Sequence, residues 1–385
     1  MKELAVLTTT RAEYGLLSNL IRKLMQEPMW NVSVLVTGTH LLKSQGHTID
    51  EIKKDGIAVA HTIEIFEEGE SCNVTDVLGK VVIEFGKLFM DEHYDALVVL
   101  GDRYETLGVC EAAMLNRIPI VHLHGGETTQ GAVDEAIRHS ITKMSYLHFT
   151  STSAYRNRVI QMGENPQRVF DVGALGVENT LHTTLYDQRE IREELGIADG
   201  KPYIVMTYHP VTLEDTAKQQ AYEFLKVFEK LERYDIVITK ANEDAGGRII
   251  NEVFEAYSKE HAHVRVFASL GKKRYLSAVK YASFVLGNSS SGIIEVPSFG
   301  VPTVNVGDRQ KGRIRAESVV DAAVDYESIL DAIQMVEGSA FQKKASMIVN
   351  PYGDGNTSDR IVDILHQWFT QGTPDLKKAF YDIDI

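Results

Sequence analysis

Short apolar runs rich in β-branched residues recur along the chain, and most are followed by a polar turn and a helical pattern. Runs of this length are typical of strands covered on both faces, and their alternation with helices predicts parallel βαβ units. In the first half they lie at 4–8, 32–37, 96–100, 118–123, 147–150 and 169–172. The pattern restarts at 203–208, 235–239, 264–267, 284–286 and 303–306.

This pattern predicts two doubly wound, Rossmann-like α/β domains of about 180 residues each, a usual domain size. We place the N-terminal domain at 1–175 and the C-terminal domain at 176–360, with a linker around 173–187. An amphipathic helix begins at 357, and we expect the segment 361–385 to pack back on the N-terminal domain. Ligands of open parallel sheets bind at the carboxyl ends of the strands, so the two sheets are expected to face a central cleft there.

The composition, 44% hydrophobic and 24% charged over 385 residues, is that of a globular protein. Its formal charge of -14 has the wrong sign for a general nucleic-acid or anionic-membrane binder, so an anionic ligand requires a local basic pocket. The first apolar run is too short for a signal peptide or a membrane span, which predicts a cytoplasmic protein. Cys72 and Cys110 have no metal-site spacing and cannot form a disulfide framework.

Candidate chemistry in the first half follows the predicted strands. The turn TTTRAEYG matches neither a dinucleotide fingerprint nor a P-loop, and its Arg11 is either a phosphate clamp or a solvated surface group. Asp102 and Arg103 follow the strand at 96–100. A partly desolvated acid there can exchange protons near neutrality, unless Arg103 holds it ionised.

The next strand ends in HLHGGE, where His122 and His124 are two residues apart and would share one face of a strand. A zinc site is conceivable but disfavoured, because the usual helical or cysteine partners are absent. The paired glycines leave His124 and Glu127 near the expected cleft. Asp134 then opens a helix, a position that capping preference explains equally well.

In the second half, Pro210 stops a strand and presents His209 beyond its end, and Asn242 follows the next strand in the same way. The segment GNSSSGIIE passes from a strand into a helix N-terminus, which predicts a diphosphate site, although a serine-rich cap is the plain alternative. Glu295 lies one turn further on and can accept hydrogen bonds from a ribose diol. Four cations after the strand at 303–306 supply the basic pocket: Arg309, Lys311, Arg313 and Arg315.

Several motifs, in order, resemble the hydrolysing UDP-N-acetylglucosamine 2-epimerases of sialic acid and capsule polysaccharide biosynthesis. They are TTTRAEYG, VTGTH, GDRYE, HLHGGE, DEAIRHSITKMSYLHFTST, GNSSSG and GDRQKGR. The resemblance runs nearly end to end. It implies the two-domain fold of glycosyltransferase B type and cleavage of UDP-N-acetylglucosamine to UDP and N-acetylmannosamine, with no metal or organic cofactor. The related non-hydrolysing enzymes carry a proline after the first arginine and an aspartate before the serine turn, where this chain has Ala12 and Asn288.

The resemblance also implies roles for residues at matching positions. Asp102 and Asp134 match acid/base carboxylates, His40 lies on the sugar side, Tyr275 lies beside the uracil and Glu295 on the ribose. The diphosphate would be surrounded by Arg11, Arg103, His209, Ser290, Ser291 and Arg309, with Asn242 nearby. We also assign Gly292 and Arg313 to substrate binding and count His209 among the catalytic residues.

One departure leaves a proton carrier open. Many members of the family have a glutamate where this chain has His124, so both His124 and Glu127 are candidates. The same departure is compatible with a modified sugar, such as the 2,4-diacetamido-2,4,6-trideoxy analogue. A B-type UDP-sugar glycosyltransferase and a non-catalytic sugar-nucleotide sensor are the rival functions, and the resemblance suggests a homodimer or homotetramer.

Overall fold

The computed structural model describes residues 1–66, 73–128, 133–210, 216–241, 245–372 and 374–383. The chain forms two compact units: unit 1 is Met1–Asn179 with Gly355–Ile385, and unit 2 is Thr180–Asp354. We had assigned 176–179 and 355–360 to the second domain, but these residues belong to unit 1. The reason is a buried contact, because the backbone N–H and the hydroxyl of Ser358 both donate to the Glu178 carboxylate.

Each unit is built on one parallel sheet. The strands of unit 1 are β1 Lys2–Thr8, β2 Trp30–Thr37, β3 Val59–Ile63, β4 Ala96–Leu100, β5 Ile120–Leu123, β6 Leu147–Thr150 and β7 Val169–Asp171. Those of unit 2 are β8 Tyr203–Thr207, β9 Asp235–Thr239, β10 Val264–Phe267, β11 Val285–Gly287, β12 Thr303–Val306 and β13 Val319–Ala322. Their orders, β3-β2-β1-β4-β5-β6-β7 and β10-β9-β8-β11-β12-β13, are those of doubly wound Rossmann-like sheets, as predicted.

The helices follow the strands in alternation. They are α1 Arg11–Gln26, α2 Ile49–Lys54, α3 Val74–Asp91, α4 Tyr104–Leu115, α5 Val133–Met144, α6 Ser153–Gln161, α7 Leu175–His182, α8 Gln188–Leu195, α9 Ala217–Phe228, α10 Ala245–Glu260, α11 Gly271–Lys280, α12 Ser290–Ile294, α13 Tyr326–Glu337, α14 Ser339–Ser346 and α15 Thr357–Thr370. Over the described parts of the chain, none of these helices has the length and apolarity that crossing a bilayer requires.

The sequence pattern missed two strands, β3 and β13, which lie at sheet edges. The pattern we searched for is that of strands buried on both faces, whereas β3 alternates half-buried and exposed positions and β13 carries the exposed Asp321. An edge strand has one neighbour and keeps polar side chains, so a continuous apolar run is not required of it.

The core of unit 1 lies on both faces of its sheet. Alternate β1 residues serve opposite faces, with Leu4 and Val6 in one cluster and Ala5 and Leu7 in the other. The C-terminal helix α15 joins the first cluster, where Phe369 packs edge-on against Trp30 with ring centroids 5.1 Å apart. This burial of α15 is why the end of the chain belongs to unit 1.

Candidate active site

In unit 1, the loops after the neighbouring strands β4 and β5 are joined by one buried arginine. Arg138 of α5 is 4% exposed and forms an ion pair with Asp102. Its Nη1 also donates to the backbone carbonyl of Glu127 at 2.8 Å. A cation in this position favours the ionised form of Asp102. We had considered Arg103, the sequence neighbour, as the group that holds Asp102 ionised, but the structure gives this place to Arg138.

Arg103 is paired with a different carboxylate. Its Nε and Nη2 donate to the two oxygens of Glu105 at 3.2 and 2.8 Å, and the Glu105 side chain is fully buried. Burial alone would lower the pKa of the Arg103 guanidinium, but the hydrogen bonds and charge of Glu105 outweigh this and raise it. A two-bond fork of this kind fixes the plane of the guanidinium at the start of α4.

His124 and Glu127 form a connected pair after β5. His124 Nδ1 lies 3.1 Å from Glu127 Oε1, and the Ser151 hydroxyl donates to the same oxygen at 2.7 Å. The backbone N–H of Leu175 lies 3.5 Å from His124 Nε2. The two residues that we left as alternatives are therefore in direct contact, and the choice between them as proton carrier stays open.

The backbone around this pair is held in an unusual conformation. His124 has φ +63°, so its side chain does not continue the alternation of the strand, and Gly126 has φ +76°. A Cβ at Gly126 would lie 2.5 Å from the Tyr155 carbonyl oxygen, which excludes other residues there. Arg158 then donates to the Gly126 carbonyl and to the Thr128 hydroxyl. These contacts hold the loop of His124 and Glu127 against α6.

His122 and His40 are core histidines. His122 Nε2 bonds the Gly101 carbonyl at 2.8 Å and Nδ1 bonds Thr142 at 3.2 Å, and burial lowers the pKa of this imidazole to about 3. His40, which we predicted on the sugar side, is fully buried between the hydroxyls of Thr8 and Thr48, at 2.9 and 2.8 Å. Burial lowers the pKa of His40 to about 4. Its position does not support a direct contact with a sugar.

Arg11 and Asp134 are more exposed than their predicted roles require. Arg11 begins α1, and its side chain is 71% exposed with Nε 3.0 Å from Glu51. Asp134 is an exposed residue in the first turn of α5, one turn before Arg138 on the same face of the helix. Neither position tests the predicted function, so both roles stay predictions.

Glu13 was missed by the sequence analysis. The backbone N–H and the hydroxyl of Thr9 both donate to Glu13 Oε2 at 2.7 Å. Burial raises the pKa of Glu13, and the nearby Arg103 opposes this rise. Glu13 lies in the first turn of a helix, where a glutamate is an ordinary capping residue. Its position near Arg103 marks it as a candidate proton-binding group of this site.

In unit 2, the candidate residues follow the carboxyl ends of β8, β11 and β12. The backbone N–H of His209 donates to Asn288 Oδ1 and its carbonyl accepts from Asn288 Nδ2, both at 2.7 Å. Arg309, which follows β12, donates through Nη1 to the Asn288 carbonyl at 3.1 Å. The structure therefore brings His209, the serine turn and Arg309 together around Asn288.

Tyr275, Ser291 and Glu295 also lie together. The buried hydroxyls of Tyr275 and Ser291 form no hydrogen bond within the described residues. Burial raises the pKa of Tyr275 to about 12, and the nearby hydroxyls of Ser291, Ser289 and Thr207 oppose this rise. Burial also raises the pKa of Glu295, against the opposing effects of Ser291 and Lys272. A phenol, hydroxyls and a carboxyl at this place can form hydrogen bonds with a nucleoside. The predicted positions beside uracil and ribose stay predictions.

The helix that follows the serine turn is very short. Ser289 caps α12, a helix of only five residues (Ser290–Ile294) that passes into a 3₁₀ turn, so the helix dipole contributes little. A Cβ at Gly292 would lie 2.9 Å from the Thr303 methyl carbon. This glycine lets α12 pack on β12, and its assignment to substrate binding stays a prediction.

The four predicted cations lie in the connection from β12 to the edge strand β13. Lys311 pairs with Asp308 at 3.4 Å, and Arg315 pairs with Asp321 at 3.0 Å and donates to two backbone carbonyls. Arg309 and Arg313 are left as the candidates for an anionic ligand. Asn242 and Cys72 lie outside the described residues, and within the described ranges no group of three metal-binding side chains occurs.

Comparison with known proteins agrees with this architecture. A family model described as UDP-N-acetylglucosamine 2-epimerase matches residues 22–366. The polysialic acid biosynthesis protein P7 of Escherichia coli is 38% identical over 100% of this chain and 98% of its own length. A GDP/UDP-N,N'-diacetylbacillosamine 2-epimerase (hydrolyzing) of Campylobacter jejuni is 35% identical over 89% of each chain.

A crystal structure of a UDP-GlcNAc 2-epimerase from Neisseria meningitidis bound to UDP-GlcNAc superimposes with a TM-score of 0.79, at 19% identity over 95% of this chain and 100% of that one. At this identity the likeness establishes the fold. The family model spans most of the sequence, and the Escherichia coli protein aligns along all of it. The chain therefore belongs to the UDP-N-acetylglucosamine 2-epimerase family.

Proposed function

We propose that this chain is a hydrolysing 2-epimerase that converts UDP-N-acetylglucosamine and water to N-acetylmannosamine and UDP. In this proposal unit 2 binds the UDP part and unit 1 supplies the proton carriers. The observation that carries it is the network in which Arg138 joins Asp102 to the loop of His124 and Glu127. The Campylobacter jejuni relative supports the hydrolysing sugar-nucleotide chemistry by its name, and the Escherichia coli relative, named for polysialic acid biosynthesis, supports a role toward that polymer.

Leaving-group stabilisation is the largest requirement of this reaction. The hydrogen on C2 of the sugar is next to no carbonyl, so its removal as an acidic proton is slow. Departure of UDP generates positive character at C1, and the C2 hydrogen then becomes removable. Donors arranged around a developing anion typically contribute about 2.7–4 kcal/mol each. Arg309 and the Ser289–Ser291 turn of unit 2 are the groups that we assign to this role.

Two proton carriers on opposite faces of the sugar ring are required for inversion at C2. Asp102, beside the Arg138 cation, is suited to accept the C2 proton, which gives a glucal. The contacting pair of His124 and Glu127 is the candidate that returns a proton to the other face. Water supplies the hydroxyl at C1, and the proton that it loses passes to solvent. Asp134 remains a further candidate for either step.

The decisive experiment is incubation of the protein with UDP-N-acetylglucosamine alone in heavy water, followed by proton NMR. We expect UDP and N-acetylmannosamine with deuterium at C2, because the carrier that returns the proton exchanges with solvent. A glycosyltransferase would leave the sugar nucleotide largely intact without an acceptor. Tight UDP binding without turnover would indicate a sensor, and a product that keeps its C2 hydrogen would contradict the elimination mechanism.

The pair of His124 and Glu127 makes a separate prediction. Glu127→Gln is expected to lower kcat about 10²-fold, because the amide can accept from Nδ1–H but lacks the charge that stabilises a protonated imidazole. UDP affinity should stay unchanged when measured by calorimetry. Glu84→Gln, which removes the charge of an α3 residue paired with Lys87, is the matched control. Equal kcat values for the two variants would remove Glu127 from the mechanism.

The 2,4-diacetamido-2,4,6-trideoxy sugar nucleotide is the alternative substrate. The Campylobacter jejuni relative, named for diacetylbacillosamine, supports it, and so does His124 at the position where many family members have glutamate. Relative kcat/KM values for the two UDP-sugars decide between them. The cytoplasmic location and the homodimeric or homotetrameric state stay predictions, and light scattering of the purified chain measures the latter.

A further inference from the structure

Asn288 occupies the first position after β11 and is 1% exposed. Its amide forms two hydrogen bonds of 2.7 Å with the backbone of His209, one accepted by Oδ1 and one donated by Nδ2. An amide side chain supplies one acceptor and one donor side by side, which matches the N–H and C=O of a single residue. The side chain thus ties the end of β11 to the residue just beyond β8.

The backbone of Asn288 holds two further elements. Its N–H donates to the Thr207 carbonyl at 3.0 Å. Its carbonyl accepts from Arg309 Nη1 at 3.1 Å and from Gln310 Nε2 at 2.9 Å, and Gln310 is 3% exposed. One buried residue therefore connects the loops after β8, β11 and β12.

The preceding residue shows how closely β11 and β8 approach at this point. Gly287 has φ +124°, and a Cβ there would lie 2.1 Å from the Thr207 carbonyl oxygen. Only glycine can take this place, since no side chain fits between the two backbones. The approach puts the Asn288 amide within reach of His209, so the contact depends on a close fit of the two strand ends.

We propose that Asn288 is a positioning residue for the diphosphate site, which sets the spacing of His209, the Ser289–Ser291 turn and Arg309 without itself touching the ligand. This inference rests on the proposed function, in which unit 2 binds UDP. Donors stabilise an anion most effectively when they already have the spacing that the bound anion needs. A single buried residue that connects all three loops supplies that fixed spacing.

In this chain, asparagine satisfies both contacts with the His209 backbone. An aspartate of the same size keeps the acceptor for the His209 N–H but has no donor for the His209 carbonyl. Its second oxygen would face that carbonyl, and its charge would lie beside a site for an anion. Alanine removes both side-chain bonds without adding a charge, so the two variants separate lost positioning from charge repulsion.

The test measures UDP binding by calorimetry for the intact chain, Asn288→Asp and Asn288→Ala, with thermal unfolding recorded for each. We expect the Kd for UDP to rise about tenfold or more in Asn288→Ala, which loses both side-chain hydrogen bonds. Asn288→Asp loses one of the two bonds and adds a charge. Gln342→Glu is the matched control. Its Nε2 donates to the carbonyls of Ser283, which precedes β11, and of Val336, at 3.2 and 2.8 Å. This variant should lose stability and keep its UDP affinity.

Each outcome decides the inference. Unchanged UDP affinity in Asn288→Ala overturns it, including the case in which Asn288→Asp alone binds weakly, because charge repulsion then explains the effect. A tenfold loss of UDP affinity in Gln342→Glu as well would show that the effect comes from a general loss of stability, and this would also overturn the inference. If Asn288→Asp does not fold, Asn288→Ala decides alone. Failure of the unsubstituted chain to bind UDP contradicts the proposed function itself, and with it this inference.

Discussion

Asp102→Asn is expected to lower kcat for UDP release about 10²–10⁴-fold, the usual contribution of a positioned proton carrier. The amide has nearly the same shape as the carboxylate but cannot accept the C2 proton. Asp102 is not among the residues assigned to the diphosphate. The Kd for UDP should therefore change little, and kcat with UDP affinity measured in parallel gives the result.

Asp55→Asn is a suitable control for this experiment. Asp55 accepts hydrogen bonds from Tyr14 at 2.6 Å and from Arg22 at 2.8 Å, so its replacement also neutralises a paired aspartate of unit 1. We expect this variant to keep its kcat. Asp134→Asn is measured alongside, because Asp134 is the other candidate carboxylate. If both Asp102→Asn and Asp134→Asn release UDP at the parental rate, the assignment of proton carriers is wrong.

Replacing Arg138 with methionine should have the second largest effect. Breaking a buried ion pair by removing one partner costs about 3–5 kcal/mol, since the remaining charge loses its compensation. The side chain of Arg138 is 5% exposed but that of Asp102 is 26% exposed, so we expect the lower part of this range. Unfolding in urea measures the change in stability of the variant.

Arg138→Met should also lower kcat/KM, because the Asp102 carboxylate loses the cation with which it forms an ion pair. Arg138→Lys keeps the charge and should retain more of the parental kcat/KM. Equal kcat/KM values for Arg138→Met and the parent would contradict the role of Arg138 at Asp102.

Much of the fold was predictable because local pattern and burial coincide in the central strands. The runs at 96–100 and 303–306 correspond to β4 and β12, which are buried along their length. The edge strands β3 and β13 were not predicted, since one free edge and partial exposure permit polar residues. The start of the second segment of unit 1 at Gly355 was not predicted either, because it depends on the contact of Ser358 with Glu178, 180 residues away in the sequence.

The residues at the strand ends were predictable from their position in the sequence, but their partners were not. Asp102 follows β4 directly in the sequence, whereas its pairing with Arg138 depends on how α5 packs against α4 and β5. The motif placed His40 on the sugar side, but in the structure two threonine hydroxyls enclose its ring. Glu13 looked like an ordinary capping residue and lies near Arg103.

The sequence by itself determined the alternation of strands and helices, the turns that carry polar residues and the family to which these motifs point. These features depend on neighbouring residues, so local patterns contain them. Only the tertiary structure decided which cation pairs with which carboxylate, that His124 and Glu127 are in contact, and that Asn288 joins three loops. Such contacts join residues far apart in the chain, and their free energy depends on the burial and distance that packing imposes.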